Sequence, residues 1–271
     1  MSKKSKITVL SCAIGLALAT SFTAHAGSFL EVESVPTILG LGIGSGPDYR
    51  GSDETTTAAA PFGRYTFSGQ QRYIQLQANE VTLNLLDNAK YRLGPILNYN
   101  FGRDSSEIDD VIVKQMKTID GKLEAGIFGD VVWAEQGNPR NRFILGATVL
   151  KGEEGYQSKI SARWWHQVSP AVDLHVGGGL IYANDKYNNH YFGVNAANVG
   201  TSALPFYTAG SGVNETYLTL GGLLYLSKEW ALGAGVRLST ISGDAGDSPI
   251  VKTRGDSGQV IGGVAVGYMW K

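Results

Sequence analysis

The sequence is short of cysteine, of long apolar runs and of net charge. Its one cysteine, Cys12, lies near the N-terminus, so the rest of the chain has no disulfide or thiol chemistry. No apolar run after residue 26 reaches the roughly 18 residues that a membrane-spanning helix needs. The 23 Lys and Arg against 24 Asp and Glu leave a formal charge of −1, which argues against nucleic acid as a partner.

The first 26 residues predict a cleaved signal peptide. They contain a basic start at Lys3, Lys4 and Lys6, an apolar stretch at 7–19, and a small-residue cleavage site at Ala24-His25-Ala26. Cys12 falls inside the segment to be removed, and the residues before it are a poor lipidation signal. The mature chain is therefore predicted to be a single domain, 27–271, with a formal charge of −4.

The last residues alternate between two apolar faces of different bulk. One face carries Val260, Val264, Val266, Tyr268 and Trp270, and the other carries Ile261, Gly263, Ala265, Gly267 and Met269. A period of two over about twelve residues suits a tilted strand that crosses a bilayer. Bulky groups would face lipid and small ones the interior. The alternative is a core strand of a secreted β-sandwich.

The same alternation recurs along the chain and predicts an all-β fold, a transmembrane antiparallel up-and-down barrel of about 12 strands (10–12). The predicted strands are 37–45, 57–67, 73–78, 81–85, 91–99, 122–133, 142–150, 156–167, 172–183, 215–227, 230–242 and 259–271. A bend at Asn79-Glu80 would merge two of them. Short and long connections alternate, as in outer-membrane barrels, which places both termini in the periplasm. Mean hydropathy is −0.07, as expected if strands are half polar.

Charged residues fall on the predicted inner faces, where opposite charges on neighbouring strands can form ion pairs across the lumen. They are Arg92, Glu124, Asp130, Arg142, Lys159, Arg163, Asp173 and Arg237. We expect Glu124 and Asp130 to pair with Arg92 and Arg142, and Asp173 with Arg163. Either the lumen is filled by these pairs, or they form a charged constriction that selects solutes.

The histidines of the mature chain do not predict a metal site, a cofactor site or a catalytic site. Alternation points His166 toward lipid and His175 inward, while His190 lies in a long connection. They therefore cannot share a metal ion, and no Ser-His-acid set comes together on adjacent strands. We expect a protein without a cofactor and without enzymatic activity.

Several short motifs, taken together and in order, resemble the MltA-interacting protein (MipA/OmpV) family. They are Gly42-Ile43-Gly44 with Pro47-Asp48-Tyr49 and Gly51-Ser52-Asp53; Tyr91-Arg92-Leu93-Gly94-Pro95 with Gly102-Arg103-Asp104; Tyr191-Phe192-Gly193-Val194; Leu204-Pro205 with Tyr207; and Gly243-Asp244-Ala245 with Asp247-Ser248-Pro249-Ile250-Val251.

The resemblance implies an outer-membrane protein of a Gram-negative envelope that contacts outer-membrane lipid. It also implies a scaffold role, in which a lytic transglycosylase is brought near a bifunctional penicillin-binding protein that synthesises murein. Other members of the family resemble adhesins or porin-like proteins, so a small-solute channel and an adhesin remain alternatives. The resemblance brings no catalytic residues.

Two segments are the candidates for a periplasmic docking surface. The lead-in 27–35 offers Phe29, Leu30 and Val32, an extended apolar stretch that could add to a partner's sheet edge. The connection 134–141 offers Gln136, Asn138 and Arg140. The alternative is that the first is a disordered lead-in and the second an ordinary turn.

Overall fold

The computed structural model describes Glu31 and residues 37–270, and the predicted signal peptide lies outside the described residues. Alternating residues build twelve strands. They are β1 Thr37–Pro47, β2 Thr55–Thr66, β3 Tyr73–Gln77, β4 Glu80–Asn84, β5 Tyr91–Asn100, β6 Lys122–Glu135, β7 Asn138–Gly152, β8 Gly155–Ser169, β9 Val172–Ala183, β10 Gly212–Tyr225, β11 Trp230–Ile241 and β12 Gly258–Met269.

Each strand pairs antiparallel with its neighbours in sequence, and β1 pairs with β12, so the sheet closes into a barrel. The closing register places Ile43 opposite Val264. Closure satisfies the backbone groups that an open edge would leave unpaired. The predicted all-β barrel of about twelve strands is confirmed. The bend at Asn79-Glu80 is a true turn, because Ala78 has a positive φ of 51° and β3 and β4 pair as separate strands.

The period of two sends apolar side chains outward. On β1, Leu39, Leu41 and Ile43 are each more than half exposed, whereas the glycines between them face the interior. At Gly40 an added Cβ would come within 2.3 Å of the Phe62 ring, so the missing side chain gives that ring its space. An apolar exterior over strands of this length fits the hydrocarbon core of a bilayer.

The connections divide the barrel into two different ends, which we call the loop end and the turn end. The loop end carries 48–54, 78–79, 101–121, 153–154, 184–211 and 242–257, and the turn end carries 67–72, 85–90, 136–137, 170–171 and 226–229. Exposed aromatic side chains form a girdle near the turn end. They are Tyr65, Phe67, Tyr91, Trp133, Phe143, Trp164, Trp230, Tyr268 and Trp270. Such girdles mark a membrane–water interface.

Helices form only in the loop-end connections of the described chain. They are α1 Asp185–Phe192, α2 Ala196–Ser202, α3 Gly243–Gly246 and α4 Pro249–Lys252, with 3₁₀ turns at Ser105–Glu107 and Val113–Gln115. The Asn184 side chain caps α1 by accepting from the Tyr187 N–H at 3.2 Å. No helix in the described residues has both the length and the apolar character to span a membrane.

One predicted connection is much shorter than expected. The segment 134–141 is mostly strand, because β6 ends at Glu135 and β7 begins at Asn138, leaving a two-residue turn. Gly137 supplies the positive φ of 86° that this turn needs. The first residues of β7 are polar or proline and do not alternate with apolar residues, so the sequence did not predict this part of the strand. These residues pair with the neighbouring strand ends instead of forming a loop.

Candidate functional site

The loop-end connections fold over the barrel and close it with a buried apolar cluster, which we call the loop-end cluster. Its members include Tyr49, Ile108, Val113, Met116, Tyr187, Tyr191, Phe192, Val194, Leu204, Ile241, Ile250 and Val251. These residues come from the first, third, fifth and sixth loop-end connections and from strand ends. Burying them together stabilises a fixed cap.

Hydrogen bonds tie the separate connections of the cap to one another. The Tyr49 hydroxyl donates to the Arg254 carbonyl at 3.1 Å, and the Ser248 hydroxyl donates to the Phe192 carbonyl at 2.5 Å. Burial, and next the charges of Asp110 and Asp48, raise the pKa of Tyr49, so its hydroxyl remains a donor. The cap is therefore cross-linked between connections that are distant in sequence.

A buried ion-pair triad lies beneath the loop-end cluster. The Glu215 carboxylate on β10 contacts Arg237 Nη2 on β11 at 2.6 Å and Arg50 Nη2 in the first connection at 3.3 Å. Arg237 also lies over the Tyr217 ring at 3.6 Å, and Arg50 over the Phe192 ring at 4.9 Å. The triad fixes the first connection across the mouth of the barrel.

The Glu124 carboxylate accepts hydrogen bonds from three side-chain amides and forms no ion pair within the described residues. It is buried on β6 and accepts from Asn98 Nδ2 at 2.8 Å, Gln157 Nε2 at 3.1 Å and Asn100 Nδ2 at 3.2 Å. The expected ion pairs of Glu124 with Arg92 or Arg142 are thus wrong. The register explains this, because it places Asn98 directly opposite Glu124 and moves Arg92 six residues along the strand.

Asp130 is the charged centre of the middle of the barrel. It lies 3.0 Å from Arg163 Nη2 and 3.7 Å from Arg92 Nη1, and the register pairs Arg92 directly with it. Glu31, from the lead-in, also reaches the lumen, 3.9 Å from Arg163 Nη1. These side chains and their neighbours leave a mid-barrel cavity of about 70 Å³, enough for a few waters at most.

The turn end of the lumen is closed by a second set of contacts. Asp173 is fully buried and pairs with Arg140 Nη2 at 2.7 Å, and the Tyr225 hydroxyl donates to it at 2.8 Å. The expected pairing of Asp173 with Arg163 is wrong, because Asp173 lies opposite Gln167, four residues further along β8. The Arg142 guanidinium lies 5.2 Å from the Trp165 ring centroid and donates to the Pro139 carbonyl.

An apolar cluster along the inner wall supports these polar groups. It consists of Ile38, Phe62, Val132, Ile144, Trp165, Leu223, Ala231, Ile261, Ala265 and Met269. Inward apolar side chains of this size replace water in the lumen. Lys159, another of the inner-face charges identified in the sequence, has its Nζ 3.9 Å from a carboxylate oxygen of Glu80.

The candidate docking residues are placed only in part. Gln136 is exposed at the tip of the two-residue turn. Asn138 donates to Gln167 Oε1 at 2.9 Å, and Arg140 is held by Asp173 and by the Pro170 carbonyl at 3.1 Å. Asn138 and Arg140 therefore join β7 to the β8–β9 turn. Phe29, Leu30 and Val32 lie outside the described residues.

The three histidines lie apart, as the alternation indicated. His166 is exposed and stacks on Trp164, His175 is buried against Trp165, and His190 lies in α1 at the loop end. Within the described residues, no group of three or more His, Cys, Asp or Glu side chains could hold a metal ion.

The sequence did not reveal two residues of the interior. Glu215 begins a predicted strand and Arg50 lies in a turn-forming stretch, so neither was assigned to the lumen. The alternation from Tyr217 inward does place Glu215 on the same face, and that signal could have found it. The role of Arg50 depends on how the first connection folds back, which no local pattern encodes.

The closed sheet, the apolar exterior and the aromatic girdle define the class of protein: it is an outer-membrane β-barrel. A family model described as "MltA-interacting protein MipA" matches residues 39–270. The chain therefore belongs to this family, as the motifs indicated. No curated protein matches the sequence.

Solved structures similar to this chain include three bacterial barrels. The translocator domain of autotransporter NalP from Neisseria meningitidis is 12% identical with a TM-score of 0.42, covering 86% of this chain and 88% of that one. The NanC porin is 7% identical with a TM-score of 0.46, covering 86% and 100%. OmpT of Vibrio cholerae is 8% identical with a TM-score of 0.36, covering 89% and 99%.

Proposed function

We propose that this protein is a non-enzymatic scaffold of the outer membrane that holds a murein-cleaving lytic transglycosylase, and through it a murein-synthesising penicillin-binding protein. The observation that carries the proposal is the filled lumen. A barrel whose interior is occupied by ion pairs and capped by folded connections offers partners a rigid surface, and it does not offer solutes a path. The family description, MltA-interacting protein, supports the choice of partner.

The closure involves three levels of the lumen. The loop-end cluster and the Arg50–Glu215–Arg237 triad occupy one mouth. Asp130 with Arg92 and Arg163 occupies the middle. At the other end, Asp173 with Arg140 and the inner-wall cluster occupy the lumen. Opening a path would leave several buried charges without partners, which is costly.

A partner that acts on murein must be reached from the periplasm, which we assign to the turn end because outer-membrane barrels carry their short turns there. The turns of this end are small, and a stable interface buries about 800 Å² on each partner. We infer that the exposed Gln136 turn supplies only part of the contact. Because Glu31 of the lead-in contacts Arg163 in the lumen, we assign the rest of the contact to the part of 27–35 that precedes it, with Phe29 and Leu30.

Asn138 and Arg140 then act as positioning residues. Arg140 is bound to Asp173 and the Pro170 carbonyl, so it holds the β6–β7 and β8–β9 turns at a fixed separation. A rigid pair of turns lowers the ordering cost of binding.

Capture of a purified lytic transglycosylase by the immobilised, folded full-length chain tests this function. Wild-type protein should retain the enzyme, and addition of a bifunctional penicillin-binding protein should give a ternary complex. Deletion of 28–30, which keeps Glu31 beside Arg163, combined with Gln136→Ala should reduce capture. Lys252→Gln is the matched control, because Lys252 is an exposed loop-end residue.

The two possible failures have different meanings. Undiminished capture by a correctly folded double variant would exclude the turn-end surface and direct attention to the loop end. Absence of capture by the wild-type chain would exclude the scaffold role for this enzyme class. Heat-modifiable migration in a gel confirms folding in every case.

A further inference from the structure

A polar cavity of about 380 Å³ lies in the loop-end connections, outside the filled lumen. It is bounded by the connection 101–121, the start of β6, the β7–β8 turn and the α1–α2 region. This volume is within the range of small-molecule pockets. Neither the scaffold role nor the family description involves it.

Arg103 lines this cavity and is only 6% exposed. Its backbone is fixed by reciprocal hydrogen bonds with Ile119, at 2.8 and 2.9 Å. Its guanidinium makes one hydrogen bond in the described chain, a long one of 3.4 Å from Nη1 to the Tyr191 carbonyl. No carboxylate of the described residues lies within ion-pair distance of it. Burial lowers the pKa of Arg103 to about 10, so the group still carries its charge at neutral pH.

A buried guanidinium without an anionic partner is unusual, because burying an isolated charge is costly. Every other arginine of the barrel interior described above has a carboxylate or an aromatic ring beside it. Arg103 instead meets a cavity wide enough for a ligand. Guanidinium groups bind carboxylate and phosphate oxygens through paired N–H donors.

The remaining lining residues fit the polar body of such a ligand. His190 Nδ1 contacts Glu154 at 3.3 Å, and its Nε2 is buried without a hydrogen-bond partner. Burial lowers the pKa of His190, which leaves the imidazole neutral, so His190 adds no positive charge to the cavity. Asp120 and Glu154 are further acceptors, and the Asn189 amide lies beside them.

Two lysines complete the charge of the cavity. Lys117 is exposed at its rim, while Lys122 is already paired with Glu153 at 3.0 Å. With Arg103 they face only two acidic side chains, Asp120 and Glu154, in the lining. The excess of positive charge lies at the buried Arg103, and the acceptors lie around it. This arrangement favours one anionic group on a hydroxyl-bearing body.

We propose that this cavity binds a small hydroxylated anion, a sugar acid or a sugar phosphate, with Arg103 holding the carboxylate or phosphate group and Asp120 and Glu154 accepting from its hydroxyls. The loop end of the barrel is thereby a solute-binding site that operates independently of the turn-end scaffold surface.

Calorimetric titration of the folded full-length chain in detergent tests this site. The probes are D-glucuronate and glucose 6-phosphate, with neutral glucose and inorganic phosphate for comparison. At least one of the two anionic sugars should bind more tightly than either comparison probe. Which of them binds identifies the anionic group as carboxylate or phosphate.

Variants of Arg103 and Lys117 test the assignment of residues. Arg103→Gln should weaken binding about tenfold or more, because it removes a charge-assisted hydrogen-bonding group. Lys117→Glu reverses an exposed rim charge without touching the buried structure and should weaken binding about threefold or more. It provides the answer if Arg103→Gln fails to fold. Lys252→Gln, in a different connection, should leave binding unchanged.

Three results would overturn the proposal. The first is the absence of binding by both anionic sugars up to about 20 mM. The second is binding of inorganic phosphate alone, which would remove the role of the hydroxyl acceptors. The third is anion binding that neither Arg103→Gln nor Lys117→Glu weakens.

Discussion

Glu215 is the side chain whose removal should most strongly weaken the interior of the barrel. It is 3% exposed and lies between two buried arginines, 2.6 Å from Arg237 Nη2 and 3.3 Å from Arg50 Nη2. Glu215→Gln keeps the size of the side chain and one hydrogen-bond acceptor, but it removes the only negative charge that the two guanidinium groups share in this triad.

Breaking a buried pair by removing one partner costs about 3–5 kcal/mol. Because glutamine still accepts one hydrogen bond, we expect a loss of about 3 kcal/mol for Glu215→Gln, the lower end of that range. The matched control is Glu153→Gln at the loop end. Glu153 pairs with Lys122 at 3.0 Å but is largely exposed, so we expect little or no loss of stability there.

Urea unfolding of the refolded chain in detergent micelles, followed by tryptophan fluorescence, measures both losses. A double variant, Arg50→Met with Glu215→Gln, should lose less than the sum of the single variants, because it removes one of the two stranded charges. A loss below about 1 kcal/mol for Glu215→Gln would refute the buried triad as a stabilising feature of the cap.

Three further outcomes are expected. Folded protein should migrate differently in gels before and after boiling, since closed barrels resist detergent unfolding; unchanged migration would argue against the barrel. Gly94→Ala should destabilise by about 1–3 kcal/mol, because its Cβ would meet the Leu83 carbonyl oxygen, whereas Gly200→Ala in exposed α2 has open space and should be neutral or stabilising in the same unfolding assay. Asp110 forms an ion pair with Arg254. Burial raises the pKa of Asp110, but hydrogen bonds from Arg254, Val113 and Ile112 together have the larger effect and lower the pKa below its ordinary value. The stability that this ion pair contributes is therefore present above about pH 4 and is lost as pH falls through the lowered pKa. Protection factors for amide hydrogen exchange in 101–121, corrected for the intrinsic rate at each pH, should therefore fall in acid for the wild-type chain but not for Asp110→Asn, whose protection should already be lower at neutral pH.

The strands could be predicted closely because each has one face in lipid and one in the lumen. That difference imposes a period of two along the strands from β1 to β12. The predicted strand boundaries were wrong where the alternation of apolar and polar residues is interrupted. We predicted that β7 begins at Arg142, because Pro139 and the polar Arg140 resemble a loop. The strand begins at Asn138, and Asp173 and the Pro170 carbonyl bind the Arg140 side chain.

The face that each interior charge occupies could be predicted, and so could the pairing of Asp130 with Arg92, but the other partners could not. Pairing depends on strand register, and a shift of a few residues replaces one partner by another. Glu124 meets Asn98 and Asp130 meets Arg92 only because of the β5–β6 register. Arg50 and Arg103 lie in connections whose path over the barrel is set by the loop-end cluster. Arg103 lies within a family motif and Arg50 lies between two others, and neither position indicates what the side chain contacts.

The closed lumen is tested most directly by the conductance of the purified, refolded full-length chain in a planar bilayer. A barrel filled by the Arg50–Glu215–Arg237 triad, the Asp130 pairs and the Asp173–Arg140 pair should give no steady conductance at neutral pH. Disrupting the cap with Glu215→Gln should introduce intermittent leaks. Reproducible conductance steps from the wild-type protein, growing in proportion to salt concentration, would contradict the closed lumen and favour a solute channel.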